Sequence, residues 1–191
     1  QERPNLIYIY KPTPISIVGL IAKLFWNTET VVDFDDLGSE VMRIEGHPVY
    51  QRKLVEWSER LAAYYADRLV VTSSFLFDLY RSKFPQKPII TIPNGVDEGW
   101  LKMPIISGKT GRIVFMGSLN RQTILDPLFD VLPQIIRTHP QQEILIIGDG
   151  SYLSHFKERA ASGGISKNVS FTGWLSLDKA REHLHSGDIG Y

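Results

Sequence analysis

Three glycine-bearing turns in the second half of the chain have the residue types to receive a phosphate. Gly117 and Ser118 follow the apolar run Ile113-Val114-Phe115-Met116. A glycine there turns the backbone tightly and lets an anion approach the amides, and the serine can donate a hydrogen bond to it. Taken alone, the turn is equally readable as purely structural. Gly148-Asp149-Gly150-Ser151 follows a second apolar run and leads straight into a helical segment, whose N-terminal amides would face the same crevice. Only two of the three dinucleotide-fingerprint glycines are matched by Gly148, Gly150 and Leu153, which argues against hydride transfer. Gly173 and Trp174 end a third run, and the indole either stacks on a flat base or packs inward. In the first half, Val32-Asp33-Phe34-Asp35-Asp36-Leu37 ends in carboxylates. Asp35 and Asp36 are the candidate catalytic pair, because close carboxylates raise one another's pKa and can orient or deprotonate a hydroxyl. The alternative is a loop whose Asp caps the backbone. Ile92-Pro93-Asn94-Gly95-Val96-Asp97 reads locally as a turn.

Positioning these residues requires strands that end at one edge. Eight β-rich runs qualify, at 6–10, 30–35, 69–72, 89–92, 113–116, 143–147, 169–172 and 188–191. Helices between them announce themselves by caps at Thr13, Ser73 or Ser74, Asp126, Ser151 and Ser176. A long helix from about Pro48 to Ala66 carries Leu54, Trp57, Leu61 and Tyr64 on one stripe and Arg52, Glu56, Glu59 and Arg60 on a solvated face. The apolar stretch Ile15 to Trp26 is too short to span a membrane and reads as a buried helix. Strand, loop, capped helix, strand is the grammar of an α/β fold with parallel sheets covered by helices on both faces. The rhythm breaks once, so residues 1–97 are expected to form one Rossmann-like domain, 98–111 a linker and 112–191 a second. Ligands of such sheets sit beyond the carboxyl ends of the strands, which places the function in a cleft there.

Composition narrows the chemistry. An apolar share of 43% and a charged share of 22% in 191 residues suit a globular α/β chain. Lys plus Arg equals Asp plus Glu at 21 each, with no basic run, so nucleic acid is not an expected partner. The absence of Cys fits a reducing cytosol and excludes thiolate chemistry, and the five scattered His residues give no metal site. The first residues run directly into a strand without a leader, as in a chain that opens mid-fold.

The order of the pieces resembles the group 1 (family 4) glycosyltransferases. The resemblance is carried by Ala66-Asp67-Arg68-Leu69-Val70-Val71-Thr72-Ser73, the Pro93-Asn94-Gly95 turn and Phe115-Met116-Gly117-Ser118-Leu119. Ile146-Ile147-Gly148-Asp149-Gly150 and Val169-Ser170-Phe171-Thr172-Gly173-Trp174 complete it. It covers about residues 5–191 and implies a GT-B fold, with two Rossmann-like parallel-sheet domains, each incomplete here. By the same resemblance the intact protein would transfer a sugar from a nucleotide-diphosphate sugar to an acceptor hydroxyl, with retention and with neither metal nor other cofactor. Gly117, Ser118, Gly148, Gly150 and Trp174 would bind the donor. Members place an Arg and a Lys near the positions of Ser118 and Thr123, so Arg121 is the nearest substitute cation. Lys11 and Pro12 stand where many members have a His-containing loop, and Tyr8 and Tyr10 fall where such His residues are expected. The family's glycine-rich acceptor loop and its Glu, seven residues, Glu motif lie outside the chain, which is therefore expected to be cut at both ends and inactive alone. The expected partners are a nucleotide-sugar donor and a carbohydrate or lipid-linked acceptor, in the cytoplasm or at the inner membrane face, with membrane contact assigned to parts outside the chain. The rivals are a sugar-nucleotide 2-epimerase on the same fold and a non-catalytic nucleotide- or sugar-binding module.

Overall fold

The computed structural model describes residues 3–101, 111–121 and 123–191, and the chain divides into two units, residues 1–95 and 96–191. Most of the expected 98–111 linker, namely 102–110, lies outside the described residues. Each unit holds one four-stranded, all-parallel sheet.

In the first unit, β1 (Leu6–Tyr10), β2 (Glu29–Phe34), β3 (Arg68–Val71) and β4 (Ile89–Thr91) lie side by side in chain order. Right-handed crossovers between strands in sequential order put every connecting helix on the same face. These are α1 (Ile17–Trp26), α2 (Gly38–Glu45), α3 (Val49–Tyr65) and α4 (Ser74–Lys83). The core accordingly gathers Ile9, Val32, Phe34, Leu69 and Val71 from one side of the strands. Tyr8, Tyr10 and Ile90, on the alternate positions, are exposed. The expectation of helices on both faces is therefore corrected here, because the strand order leaves the second face open.

Three helices of this unit differ from their expected form. The 17–26 helix buries only Leu20, with Val18, Leu24 and Phe25 exposed. It approaches the sheet through Gly19, where a Cβ would sit 2.9 Å from the Ile9 side chain, so small size rather than apolar bulk decides the packed face. Residues 38–45 form a helix that no strong periodicity announced. The long helix keeps its expected length but turns the other way: Ser58, Glu59, Ala62 and Ala63 are buried, while Leu54, Trp57 and Tyr64 are about half exposed or more. Two alanines permit close approach, and the buried polar residues are satisfied. Ser58 Oγ donates to the Pro12 carbonyl at 3.2 Å, and Glu59 accepts from Ser39 N at 3.1 Å and Ser39 Oγ at 2.5 Å.

The second unit starts with a helical turn, α5 (Glu98–Leu101), inside the expected linker. Its sheet is ordered β7-β6-β5-β8, from β5 (Ile113–Met116), β6 (Ile144–Ile147), β7 (Val169–Phe171) and β8 (Ile189–Gly190). The strand order reverses after β7, so the helices divide between two faces. α6 (Asp126–Thr138) and α7 (Leu153–Ser162) cover Ile113, Ile144 and Ile146, and α8 (Leu177–His185) covers Val114, Leu145 and Ile147. All four β6 residues are buried, as a doubly covered parallel strand requires. Arg181 of α8 lies 4.9 Å from the Trp100 ring and 3.8 Å from Asp97, which ties residues 97–100 to this unit rather than leaving them as linker.

Of the expected caps, Ser73 works as anticipated, its Oγ accepting from Leu76 N at 3.3 Å. Asp126 does not cap: it is the first residue of α6 and bridges to His155 at 2.9 Å and Arg159 at 3.1 Å on α7. Ser151 is displaced by Tyr152 as the residue before α7.

Candidate functional site

The donor-type candidates all come to the carboxyl edge of the second sheet, because parallel strands deliver their C-terminal loops to one side. Past β5 and β6 the ladder does not stop. Gly117 N donates to the Ile147 carbonyl at 3.0 Å, and Leu119 N donates to the Asp149 carbonyl at 2.9 Å. Tyr152 N, at the start of α7, returns to the Leu119 carbonyl at 2.9 Å. Gly148 N donates to the Gly173 carbonyl at 3.1 Å and so stitches in the β7 loop. Three loops are thereby knitted into one surface, with Leu119 fully buried beneath it.

Two glycines make this knitting feasible. Gly148 has φ +138, and a Cβ there would fall 1.9 Å from the Gly117 carbonyl oxygen. Gly150 has φ +155, and its Cβ would fall 2.1 Å from the Leu119 oxygen. Both contacts are with backbone, so no side-chain adjustment relieves them. Gly117 differs: its φ is not in the left-handed region, and its Cβ would meet only the Phe115 ring, at 2.9 Å. With the Gly117 and Leu119 amides already bonded, Ser118 contributes the amide and hydroxyl of this turn to solvent, and its side chain is exposed. The sequence reading that several amides of the Gly117 turn await an anion is thus narrowed to Ser118.

Thr123 has a structural role, its Oγ1 donating to the Ser118 carbonyl and accepting from Asn120 N at 3.0 Å. Arg121 is exposed beside that turn. Trp174 follows Gly173, whose φ of +70 is the left-handed bend that turns the chain outward, and its ring is 80% exposed. Of its two sequence readings, inward packing is thereby excluded.

In the first unit, Asp35 sits beyond β2 in a cluster that the sequence did not assemble. Lys11 Nζ lies 3.0 Å from one Asp35 oxygen and 3.5 Å from Asp36. Asn94 Nδ2 donates to the other Asp35 oxygen at 3.0 Å, and Tyr10 Oη donates to the Lys11-bound oxygen at 3.3 Å. The Thr72 hydroxyl donates to the Asp35 carbonyl at 2.7 Å, fixing the loop. Asn94 and Lys11 hold the Asp35 carboxyl below the usual carboxylate range. This corrects the expectation of a raised Asp35: the hydrogen bonds from Asn94 and Lys11 favour its ionised form. Asp35 is consequently an orienting, ionised acceptor of hydrogen bonds rather than a strong base. Beside it, Tyr8 donates to Asp33 and is pushed up to about 12, chiefly by that hydrogen bond. Lys11, Tyr10 and Asn94 are the site residues that the sequence reading left out of its catalytic set. The sequence signal for Asn94 is its place in the Pro93-Asn94-Gly95 turn, and that for Lys11 is its place in the loop where many family members carry a His.

Residues 110–190 match the model of the family described as Glycosyl transferases group 1. The chain is 27% identical over 133 residues to the phosphatidylinositol N-acetylglucosaminyltransferase GPI3 subunit of Saccharomyces cerevisiae (strain RM11-1a), covering 64% of this chain and 29% of that protein. It is 25% identical over 136 residues to the GDP-mannose-dependent monoacylated alpha-(1-6)-phosphatidylinositol monomannoside mannosyltransferase of Corynebacterium glutamicum, covering 64% and 35%. Among solved structures, sucrose-phosphate synthase from Thermosynechococcus elongatus superposes with a TM-score of 0.73 at 16% identity, covering 97% of this chain and 49% of that one. Anabaena HepE in complex with UDP-glucose gives 0.71 at 19% identity, covering 97% and 52%. The matched part spans about a third of the curated relatives and about half of these two solved chains. These likenesses establish the two-sheet α/β architecture of the chain. Among the described residues, no helix is long and apolar enough to cross a membrane.

Proposed function

We propose, from the match of residues 110–190 to the model of the group 1 glycosyl transferases, that the protein of which these residues form part transfers a sugar from a nucleoside diphosphate sugar to an acceptor hydroxyl. The observation that carries the proposal is the knitted glycine surface at the carboxyl edge of β5, β6 and β7, which lies inside the matched residues. The diphosphate is taken by the Ser118 amide and hydroxyl and by the N-terminal turn of α7, with Arg121 adding charge nearby. Trp174 receives the base. In the reaction the bond from the anomeric carbon to the diphosphate oxygen breaks, a bond to the acceptor oxygen forms, and the acceptor's hydroxyl proton passes to the departing diphosphate or to solvent. Donors placed where charge grows on the leaving diphosphate lower the barrier and supply the role a metal would otherwise fill. Transfer with retention and without a metal or other cofactor belongs to this proposal.

On the acceptor side, Asp35 orients a hydroxyl, held ionised by Lys11 and Asn94. The relatives named for phosphatidylinositol substrates favour a lipid-linked acceptor, handled at the cytoplasmic face of a membrane. Calorimetric titration with UDP-glucose, UDP-N-acetylglucosamine and GDP-mannose, with and without EDTA, tests the donor part. Binding of one donor that survives EDTA supports it, and no binding of any nucleoside diphosphate sugar overturns it. Determining the anomeric configuration of the product made by the full-length protein tests retention.

A further inference from the structure

The first unit carries a cavity of about 610 Å³ between α2, α3 and α4, separate from the Asp35 cluster and from the glycine loops. Its volume is in the range of small-ligand sites. Five cations face it, namely Arg43, Arg52, Lys53, Arg60 and Lys83, against three carboxylates, Glu40, Glu56 and Glu59. The carboxylates are already engaged. Glu40 holds Arg43 at 2.7 Å, Glu56 holds Lys53 at 2.9 Å, and Glu59 accepts both donors of Ser39. Among the described residues, Arg52, Arg60 and Lys83 are left with no carboxylate at ion-pair distance. Arg52 Nε is moreover buried with no hydrogen-bond partner.

A guanidinium N–H taken out of water without an acceptor is costly, and such groups in native proteins call for an explanation. Arg52, Glu56 and Arg60 recur at intervals of four on α3 and so form one stripe facing the cavity. The lining also holds apolar side chains, Leu37 beside α2 and Phe75 and Leu79 on α4. A cavity whose lining combines spare cations with apolar carbon suits an anion that carries an apolar group. Guanidinium forks bind the oxygens of carboxylates and phosphates bidentately, and a phosphate monoester, with a charge of about −2, answers more than one spare cation.

We propose that this cavity binds a phosphate monoester bearing an apolar chain or ring, whether a soluble organic phosphate or the exposed headgroup of a phospholipid. Arg52 and Arg60 hold the phosphate, and Phe75 and Leu79 hold the apolar part. The site is independent of the transferase reading, since it uses none of the residues assigned there.

The test titrates the 191-residue chain with inorganic phosphate, with octyl phosphate, and with phosphatidylcholine vesicles with and without phosphatidic acid, following amide shifts by NMR. Octyl phosphate is expected to bind at least tenfold tighter than inorganic phosphate and to move α3 and α4 signals. Arg52→Gln/Arg60→Gln should weaken it at least tenfold, whereas the charge-matched Arg137→Gln/Lys167→Gln stays within twofold. If the double variant fails to fold by circular dichroism, Arg52→Lys takes its place and should lose affinity while keeping charge. Binding of phosphatidic acid vesicles that is lost in the pocket variant identifies the lipid source, and octyl phosphate binding without vesicle binding identifies the soluble one. Absence of octyl phosphate binding, equal losses in both double variants, or shifts confined to residues 112–191 would overturn the proposal.

Discussion

Asn94 Nδ2 donates to Asp35 Oδ1 at 3.0 Å across 59 positions of sequence, joining the turn after β4 to the loop after β2. With Lys11 on the other oxygen, the carboxylate is held from both sides. Asp35 is therefore fixed in one orientation and in one protonation state at neutral pH.

The Asp35→Asn variant should be less stable than the native chain at pH 7 by about 1.5–3 kcal/mol, the range for hydrogen bonds to a charged group. Because the folded pKa of Asp35 lies below its unfolded value, the native advantage is present above about pH 4 and fades as pH falls through the folded value. Urea unfolding at a series of pH values from 7 to 2 checks this. The two curves should converge at the acid end, and a gap that persists at low pH would mean that Asp35 acts through shape rather than charge. If the full-length protein transfers a sugar as proposed, Asn94→Ala should lower its kcat/KM about 10- to 100-fold, because the carboxylate loses the orienting contact to its Oδ1.

Gly148→Ala should be far more damaging than Gly117→Ala. At Gly148 the new Cβ meets a carbonyl oxygen at 1.9 Å with φ at +138, and the β5 and β6 loops must separate to admit it. The expected cost is about 3–5 kcal/mol, at the top of the range for single substitutions. At Gly117 only the Phe115 ring must swing, at about 1–2 kcal/mol. Thermal unfolding of the two variants side by side decides the order. A more stable Gly148 variant would show that the loops are not interlocked as described.

This contrast shows where the sequence was legible. The strand ends at Met116, Ile147 and Phe171 are readable from apolar runs closed by glycine, because period and turn chemistry are local. Which glycine cannot be replaced depends on a neighbouring loop about 30 residues away, and no local pattern records that. Likewise Asp35 was visible as a carboxylate at a strand end, while its partners Lys11 and Asn94 come from two other loops that only the sheet brings together. The reversed face of α3 has the same origin. Leu54 and Trp57 outweigh Ala62 and Ala63 in hydrophobicity, but only the small residues let α3 lie close to its neighbours.

Trp174→Ala should leave stability within about 0.5 kcal/mol of native, since an 80% exposed ring has little packing to lose. Its effect should fall on the donor instead. Stacking of an aromatic ring on a base is worth about 1–3 kcal/mol, roughly a 5- to 150-fold loss of nucleoside diphosphate affinity. Calorimetric titration with UDP and GDP measures it. Unchanged affinity in a folded variant would remove Trp174 from the proposed donor site and leave the base to other residues.

The last expectation concerns Glu59, whose carboxyl is buried on α3 and pushed up by that burial against the opposing pull of the Ser39 hydrogen bonds. A carboxyl with a raised folded pKa contributes most below its unfolded value, near pH 4.3, and the contribution is lost as pH rises through the folded value. At pH 7 the native chain therefore carries a desolvated charge that Glu59→Gln would remove. Glutamine keeps an oxygen that can accept from Ser39 N or Oγ, at 3.1 and 2.5 Å in the native chain, and has nearly the same volume. The variant should be more stable than native at pH 7 by about 1 kcal/mol, and the gain should shrink to nothing as pH is lowered to about 4. Glu59→Ala gives the opposite sign at every pH, because it strands the Ser39 donors and opens a void in the α2–α3 contact. Chemical denaturation of the three proteins at pH 4, 5.5 and 7 separates these effects. A Glu59→Gln variant that loses stability at pH 7 would show that the ionised carboxylate, with its two Ser39 hydrogen bonds, is worth more to the fold than its desolvation costs.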